Sequence, residues 1–268
     1  MKKSYNVSFL LMLLPCFIFL SCSEDGSFTE TEFSISSSEL TLEVGVQETV
    51  YIKGDGVYAA TSELENVVSV TIENDKILIT PIQIGVTVIT IDDTRKNAIY
   101  TPQRLTVEVK EHIAKFYVAY ISPYSSMDDE SYSEEIKQDM ESNSLFALKD
   151  TLEFIFYSTN NGQFYLYSEK AETYSFDGVF SWMETPGYVD YTPTSERVEK
   201  ITIKSKEKEY NFSSAPLAYI SAGGKSIPTQ GHYSFNEDLT DMYKEKYPQA
   251  GINYIGCRYS INNVNGWY

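Results

Sequence analysis

Val68-Ser69-Val70-Thr71-Ile72, followed by Asn74-Asp75 and then by Ile77-Leu78-Ile79-Thr80, is the stretch that decides the fold. Apolar and polar residues alternate on both sides of a polar pair. Each run therefore presents one apolar face as an extended strand, and Asn-Asp supplies the tight reversal between them. The same pattern continues in both directions. Upstream, Leu40-Thr41-Leu42-Glu43-Val44 alternates until Gly45 breaks it, Glu48-Thr49-Val50-Tyr51-Ile52-Lys53 resumes it, and Gly54-Asp55-Gly56 turns the chain into Val57-Tyr58-Ala59-Ala60. Downstream, Gly85 precedes Val86-Thr87-Val88-Ile89-Thr90-Ile91-Asp92-Asp93, and Leu105-Thr106-Val107-Glu108-Val109 closes the series. This succession of short strands within 33–110 predicts a small Greek-key β-sandwich.

The ordered combination Leu40-x-Leu42-x-x-Gly45, Gly54-Asp55-Gly56-x-Tyr58, Ile77-x-Ile79, Gly85-x-Thr87-x-Ile89-x-Ile91-Asp92 and Leu105-x-Val107-x-Val109 resembles the bacterial Ig-like repeats of adhesins and surface lipoproteins. That resemblance implies a spacer or binding module rather than a seat of chemistry.

Glu111-His112-Ile113-Ala114 is read as a linker to a second domain over 114–268. There the sequence predicts strands at 115–121, 151–157, 163–167, 173–182, 187–191, 200–204, 209–212 and 252–261. Asn160-Asn161-Gly162 is the hairpin turn between the second and third. Residues 122–131 read as a polar turn into a helix over 132–141, with Ile136 and Met140 one turn apart. Asn236-Glu237-Asp238 reads as the cap of a last helix, on which Leu239, Met242, Tyr243 and Tyr247 share a face until Pro248 and Gly251 stop it. The expected class is mainly β: an Ig-like β-sandwich followed by an α+β domain, an antiparallel sheet or barrel with two short helices. Glu237-Asp238-Leu239-Thr240 with Tyr243, Tyr247-Pro248 and Ala250-Gly251 is loosely similar to C-terminal modules of uncharacterised surface lipoproteins, which implies an architecture and no function.

The N-terminus carries an address. Met1-Lys2-Lys3 is basic, and residues 9–20 are almost wholly apolar yet shorter than the ~20 residues of a spanning helix. Leu20-Ser21-Cys22-Ser23-Glu24-Asp25-Gly26 then switches abruptly to polar residues, and it resembles a lipobox, in which the cysteine is acylated and the signal is cut just before it. Phe19 stands where that motif usually has Leu. The resemblance implies a signal peptide over 1–21, a palmitate-type lipid on Cys22 and a tether over 22–32. Ser23 after the cysteine implies sorting to the outer membrane, and Glu24-Asp25 is similar to the acidic signal that sends some lipoproteins to the cell exterior. Each buried methylene contributes about 0.8 kcal/mol, so several acyl chains hold a protein on its membrane.

Composition excludes more than it assigns. Loss of 1–21 removes two lysines and no acid, deepening the net charge from −17 to −19. Such a chain repels phosphate backbones, which disfavours nucleic acid as a partner. Cys16 leaves with the signal and Cys22 takes lipid, so Cys257 alone stays in the folded body and no intrachain disulfide framework is expected. Cys257 sits in a strand-like run and is read as a small buried hydrophobe.

The histidines are His112, in the linker, and His232, read as lying in a loop, and no H-x-x-x-H, G-x-S-x-G or C-x-x-C motif is present. No catalytic residue, metal ligand or cofactor is assigned. Asp177, Glu184 and Asp190 border strands near Trp182, but any acidic β-protein supplies such a trio. Asp128-Asp129-Glu130 offers hard oxygens without the spacing of a Ca²⁺ loop, and capping of the following helix accounts for it. Aromatics crowd the middle of the second domain. The phenylalanines keep a period of two and read as core, whereas Trp182, Tyr188 and Tyr191, around Pro186-Gly187, are the candidate exposed ligand-binding residues. Two readings follow: a non-catalytic surface protein binding carbohydrate or protein, or a hydrolase or small-ligand carrier built on the second domain.

Overall fold

The computed structural model describes residues 33–95, 101–169, 171, 173–189, 192–216 and 232–264, with backbone alone for 184–189, 192–198, 215, 216, 232 and 233. The hairpin that opens the sequence reading forms as β5 (Val68–Glu73) and β6 (Lys76–Pro81), with Glu73 opposite Lys76. Asn74 takes φ 58°, the left-handed geometry that a two-residue reversal requires and that asparagine tolerates. Around it lie β1 (Ser34–Ile35), β2 (Glu39–Glu43), β3 (Glu48–Lys53), β4 (Tyr58–Ser62), β7 (Gly85–Asp93) and β8 (Gln103–Lys110). They form two four-stranded sheets, ordered β1-β3-β6-β5 and β2-β8-β7-β4, and β2 runs parallel to β8 while every other pairing is antiparallel. Val50, Ile52, Ile77 and Ile79 of one sheet and Ile89, Ile91, Leu105 and Val107 of the other are buried at alternate positions, as period-two patterning demands.

The second module is a closed eight-stranded antiparallel barrel. Its strands are β9 (His112–Met127), β10 (Thr151–Ser158), β11 (Asn161–Tyr167), β12 (Phe176–Val189), β13 (Thr192–Lys204), β14 (Glu209–Pro216), β15 (His232–Asp238) and β16 (Ile252–Asn263). Each pairs with its neighbour in sequence, and β16 returns to β9, so no sheet edge is left open. The barrel alternative is thus the one realised. Helices α1 (Ser133–Asn143) and α2 (Thr240–Lys246) stand beside each other at one end. Tyr243 Oη donates to Asp139 Oδ2 at 2.7 Å, Lys246 Nζ meets Asp139 Oδ1 at 2.6 Å, and Tyr247 Oη donates to Glu135 Oε1 at 3.1 Å. Neither helix is long and apolar enough to cross a membrane.

Several boundaries differ from the sequence expectation. The linker shrinks to Glu111, because His112 and Ile113 already pair with Phe156 and Ile155 of β10. The supposed turn at 122–131 is largely strand: β9 continues to Met127, since its polar residues pair along β16 from Ser122 opposite Arg258 to Ser126 opposite Tyr254. Residues 176–182 and 187–189, from the two strands expected at 173–182 and 187–191, belong to one long strand, β12, and 173–175 precede it. Asn236-Glu237-Asp238 is the end of β15, although Asp238 Oδ1 also accepts from Thr240 N at the start of α2, and His232 begins that strand. The turn between β10 and β11 is Thr159-Asn160, with Asn161 and Gly162 already inside β11. Gly162 is needed for close packing: a Cβ there would fall 1.9 Å from the Ile155 carbonyl oxygen and 2.9 Å from the Phe180 ring.

The modules meet through backbone as well as through the chain. Ile84 N donates to Tyr157 O at 2.9 Å and Thr159 N to Ile82 O at 2.8 Å, so the β6–β7 connection extends the β10–β11 hairpin. His112 Nδ1 lies 2.8 Å from Glu43 Oε2 across the same junction.

Inside the barrel, Phe154 is the hub. Its ring lies 5.0 Å from Phe164, 5.1 Å from Phe180, 5.5 Å from Trp182 and 6.0 Å from Phe116, most in edge-to-face arrangements that aromatic quadrupoles favour. The interior is packed by side chains, as expected of an eight-stranded barrel. Phe154→Ala is expected to lower the unfolding free energy by about 3–5 kcal/mol, read from urea denaturation, because the surrounding rings cannot all collapse into the void.

Candidate exterior platform and end cleft

Strand alternation sends Leu152, Phe154 and Phe156 of β10 inward, and with them Phe164 and Leu166 of β11. The intervening residues face out, and register stacks them into rows across the wall. Lys115, Glu153, Tyr165 and Asp177 form one row over β9 to β12. Tyr117, Thr151 and Tyr167 form the next, and Ile113, Ile155, Gln163 and Val179 lie on the other side. Tyr165 packs on Tyr174 with ring centroids 5.1 Å apart and planes at 52°. Tyr174 is 51% exposed and Tyr157 41% exposed. Partial burial, followed by the neighbouring Tyr157, Tyr174 and Asp177, raises the Tyr165 phenol above its ordinary pKa. This wall is therefore an exterior tyrosine platform. It is bordered by Asp177, by Gln163 and by the Lys115–Glu153 ion pair, closed at 2.6 Å, which raises the Lys115 ammonium above its ordinary pKa. Aromatic faces set among hydrogen-bonding groups suit a ligand with both C–H faces and hydroxyls.

The predicted aromatic site is rearranged by these facts. Trp182 is not exposed: it is 6% accessible, points into the barrel against Phe154, Phe156 and Phe235, and donates its indole N–H to Glu199 Oε2 at 2.8 Å. The reason is parity, since Phe180 and Trp182 are two residues apart on the inward face of β12. Tyr191 lies outside the described residues, as does Cys22, and Tyr188 is described by backbone alone. Asp177 faces solvent on the platform, whereas Asp190 is outside the described residues and the Glu184 side chain is not described. Among the described residues, no three His, Cys, Asp or Glu side chains are brought together as metal ligands. Within the acidic run, Asp129 Oδ1 accepts from Ser131 N at 3.0 Å and caps the turn that leads into α1. Cys257 is buried on the inward face of β16, and burial pushes its thiol up to about 11.

A second arrangement was invisible in the sequence. Between α1, α2 and the β14–β15 side of the barrel lies a cleft of about 210 Å³, whose walls include Met140, Lys208, Tyr210, Glu237, Met242 and Tyr243. Glu237 is 8% exposed and points inward opposite Phe212 and Cys257. Its Oε2 accepts from Tyr259 Oη at 2.9 Å, and Tyr259 Oη shares a 2.8 Å hydrogen bond with Ser144 Oγ. Burial raises the Glu237 carboxyl above its ordinary value; the Tyr259 hydrogen bond and the Lys208 charge oppose that rise without cancelling it. Burial likewise drives the Tyr259 phenol upward. The available signal was Phe235 two residues before Glu237, which places the acid on the face of its aromatic neighbour.

A raised carboxyl binds its proton more tightly in the folded state, so its contribution to stability is fully present below its ordinary value of 4.5 and is lost as pH rises through the folded value. Glu237→Gln removes this dependence. The difference in unfolding free energy between the parent and Glu237→Gln, from denaturation at a series of pH values, is expected to be flat below pH 4.5 and to move in favour of the glutamine variant as pH rises above it. Parallel profiles across the whole range would contradict the assignment.

No family model matches the chain, and no curated protein does. Solved structures similar to it include the crystal structure of the S-layer protein rSbsC(31-844), at TM-score 0.26 and 11% identity, covering 74% of this chain and 26% of that one. The structure of surface layer protein SbsC, domains 1-6, is matched to the same extent. The chain spans about a quarter of the length of these proteins.

Proposed function

We propose that the chain is a lipid-anchored outer-membrane protein displayed at the cell surface, with an Ig-like spacer as its first module and the barrel as a non-catalytic head that binds carbohydrate. The observation that carries this reading is the exterior platform, where Tyr157, Tyr165, Tyr167 and Tyr174 gather on the outer wall of β10 and β11 and the turn that follows. Sugars stack on such rings through their C–H faces while their hydroxyls reach flanking amides and carboxylates, here Gln163 and Asp177. The Ig-like reading of the first module is supported by its two four-stranded sheets and by the parallel pairing of β2 with β8. The anchor reading rests on the order basic, apolar, Ser21-Cys22, acidic.

Carriage of a small ligand inside the barrel is the weaker alternative, because aromatic rings fill the described interior. A hydrolase in the second domain has less support still: the sequence offers no nucleophile motif, and Glu237, the one carboxyl lining the end cleft from inside the barrel, is bonded to a phenol rather than to a second acid.

On a glycan array the processed chain is expected to bind a restricted set of sugars, and Tyr165→Ala or Tyr174→Ala to weaken that binding roughly three- to tenfold, about 0.7–1.4 kcal/mol. Their unfolding midpoints should change little. An array without a signal, or tyrosine variants that bind like the parent, removes the carbohydrate reading. Cys22→Ala is expected to abolish labelling by a palmitate analogue and to release the chain from the membrane fraction. Trimming of the parent by protease added to intact cells tests its exposure.

A further inference from the structure

We infer that the cleft at the helix-capped end of the barrel binds a small primary ammonium ligand with an apolar body. The site lies on β14, β15, α1 and α2, away from the tyrosine wall, and does not depend on the carbohydrate reading. Its floor is Glu237, a carboxyl 8% exposed that lines the cleft and has the Tyr259 hydroxyl as its described hydrogen-bond donor. An ionised carboxylate offers about four acceptor positions, and a buried one is stabilised by filling them. One phenol therefore leaves capacity that a ligand donor can use.

The mouth already holds an ammonium group. Lys208 Nζ sits 4.4 Å from the centroid of the Tyr210 ring, a cation–π contact, and its charge favours ionised Glu237. Lys208 is exposed and flexible by nature, so it acts as a resident stand-in that a ligand with the same head group can displace. The Met140 and Met242 side chains line the same cleft and suit an apolar or aromatic body. Glu209 and Asp238 add two carboxylates to the lining, and the chain as a whole carries −17, so cations are drawn to it and anions repelled. A neutral ligand of the same shape gains the apolar contacts but leaves the floor without a counter-charge. At about 210 Å³ the cleft is smaller than the ~300–1,000 Å³ pockets that take drug-sized molecules, which limits the ligand to a compact amine.

The test is an NMR titration of the purified, processed chain at neutral pH with phenethylamine, and with 2-phenylethanol as its neutral counterpart. Phenethylamine is expected to bind saturably, with shifts centred on β14, β15, α1 and α2, and about tenfold more tightly than the alcohol. Glu237→Gln keeps an acceptor for Tyr259 and should lose about tenfold in amine affinity, whereas Lys208→Met, which removes the competing ammonium, should gain about threefold. The inference is overturned if the alcohol binds as well as the amine, if Glu237→Gln binds the amine like the parent, or if neither the parent nor Lys208→Met binds it. Should Glu237→Gln fail to fold, the comparison of amine with alcohol on the parent and on Lys208→Met decides the matter.

Discussion

The pairing of β9 with β16 is the constraint on which the rest of the molecule depends. It joins the first and last strands of the barrel along a ladder from Ile252 opposite Met127 to Asn263 opposite Phe116. Closing it requires the chain between to be ordered in sequence, a costly long-range contact that the aromatic interior must offset. Once closed, it fixes the inward face of every strand, because a slip by one residue would turn the interior phenylalanines outward and bring the exterior Tyr and Lys residues inward. It also places α1, which follows β9, beside α2, which precedes β16, so the helical clasp at Asp139 is a consequence of closure. Since Glu111 alone separates β8 from β9, the strand that closes the barrel also ties the first module to it.

The division of aromatic residues between the two faces explains why the platform exists. Phenylalanine has no polar atom and fills the interior; tyrosine keeps a hydroxyl that must meet water or a partner, and on β10 and β11 the exterior positions carry it. Where a tyrosine does enter the barrel, as Tyr259 does, its hydroxyl is taken up by Glu237 and Ser144. This division was largely legible in the sequence, since Phe154 and Phe156 alternate with Ile155 and Tyr157. Trp182 was legible by the same rule, two residues beyond Phe180, but nearby Pro186-Gly187 suggested a loop and hence exposure. In fact β12 runs straight through that dipeptide to Val189, with the register shifting between Pro186 and Tyr188.

Polar runs that form strands are what the sequence concealed. Residues 122–126 have turn-like composition and no apolar alternation, and what makes them a strand is the partner β16, 130 residues distant in places, whose identity composition cannot reveal. Asn236-Glu237-Asp238 misled for the opposite reason. Acidic and amide residues before a helix normally cap it, and Asp238 Oδ1 does accept from Thr240 N at 3.0 Å, yet Asn236, Glu237 and Asp238 together complete β15. Local chemistry and strand pairing both use this segment, and the pairing fixes Glu237 on the inward face opposite Phe212 and Cys257.

Among the described residues four acids are buried, and their partners differ in kind. Asp93 has the Arg95 guanidinium, whose hydrogen bonds hold the carboxyl down to about 2, and Glu153 has the Lys115 ammonium at 2.6 Å. Asp150 accepts the Ala147 N–H at 2.8 Å at a turn before β10, where burial still raises its carboxyl. Glu237 is met within hydrogen-bonding distance by a phenol, with the Lys208 charge at the rim. The first two are matched in charge and the third braces a turn, so each has a structural account. Glu237 has one described hydrogen-bond donor, a phenol, with its counter-charge only at the rim, and it lines the cleft. A carboxyl whose burial costs stability above its ordinary pKa is most simply retained where something outside the fold completes it.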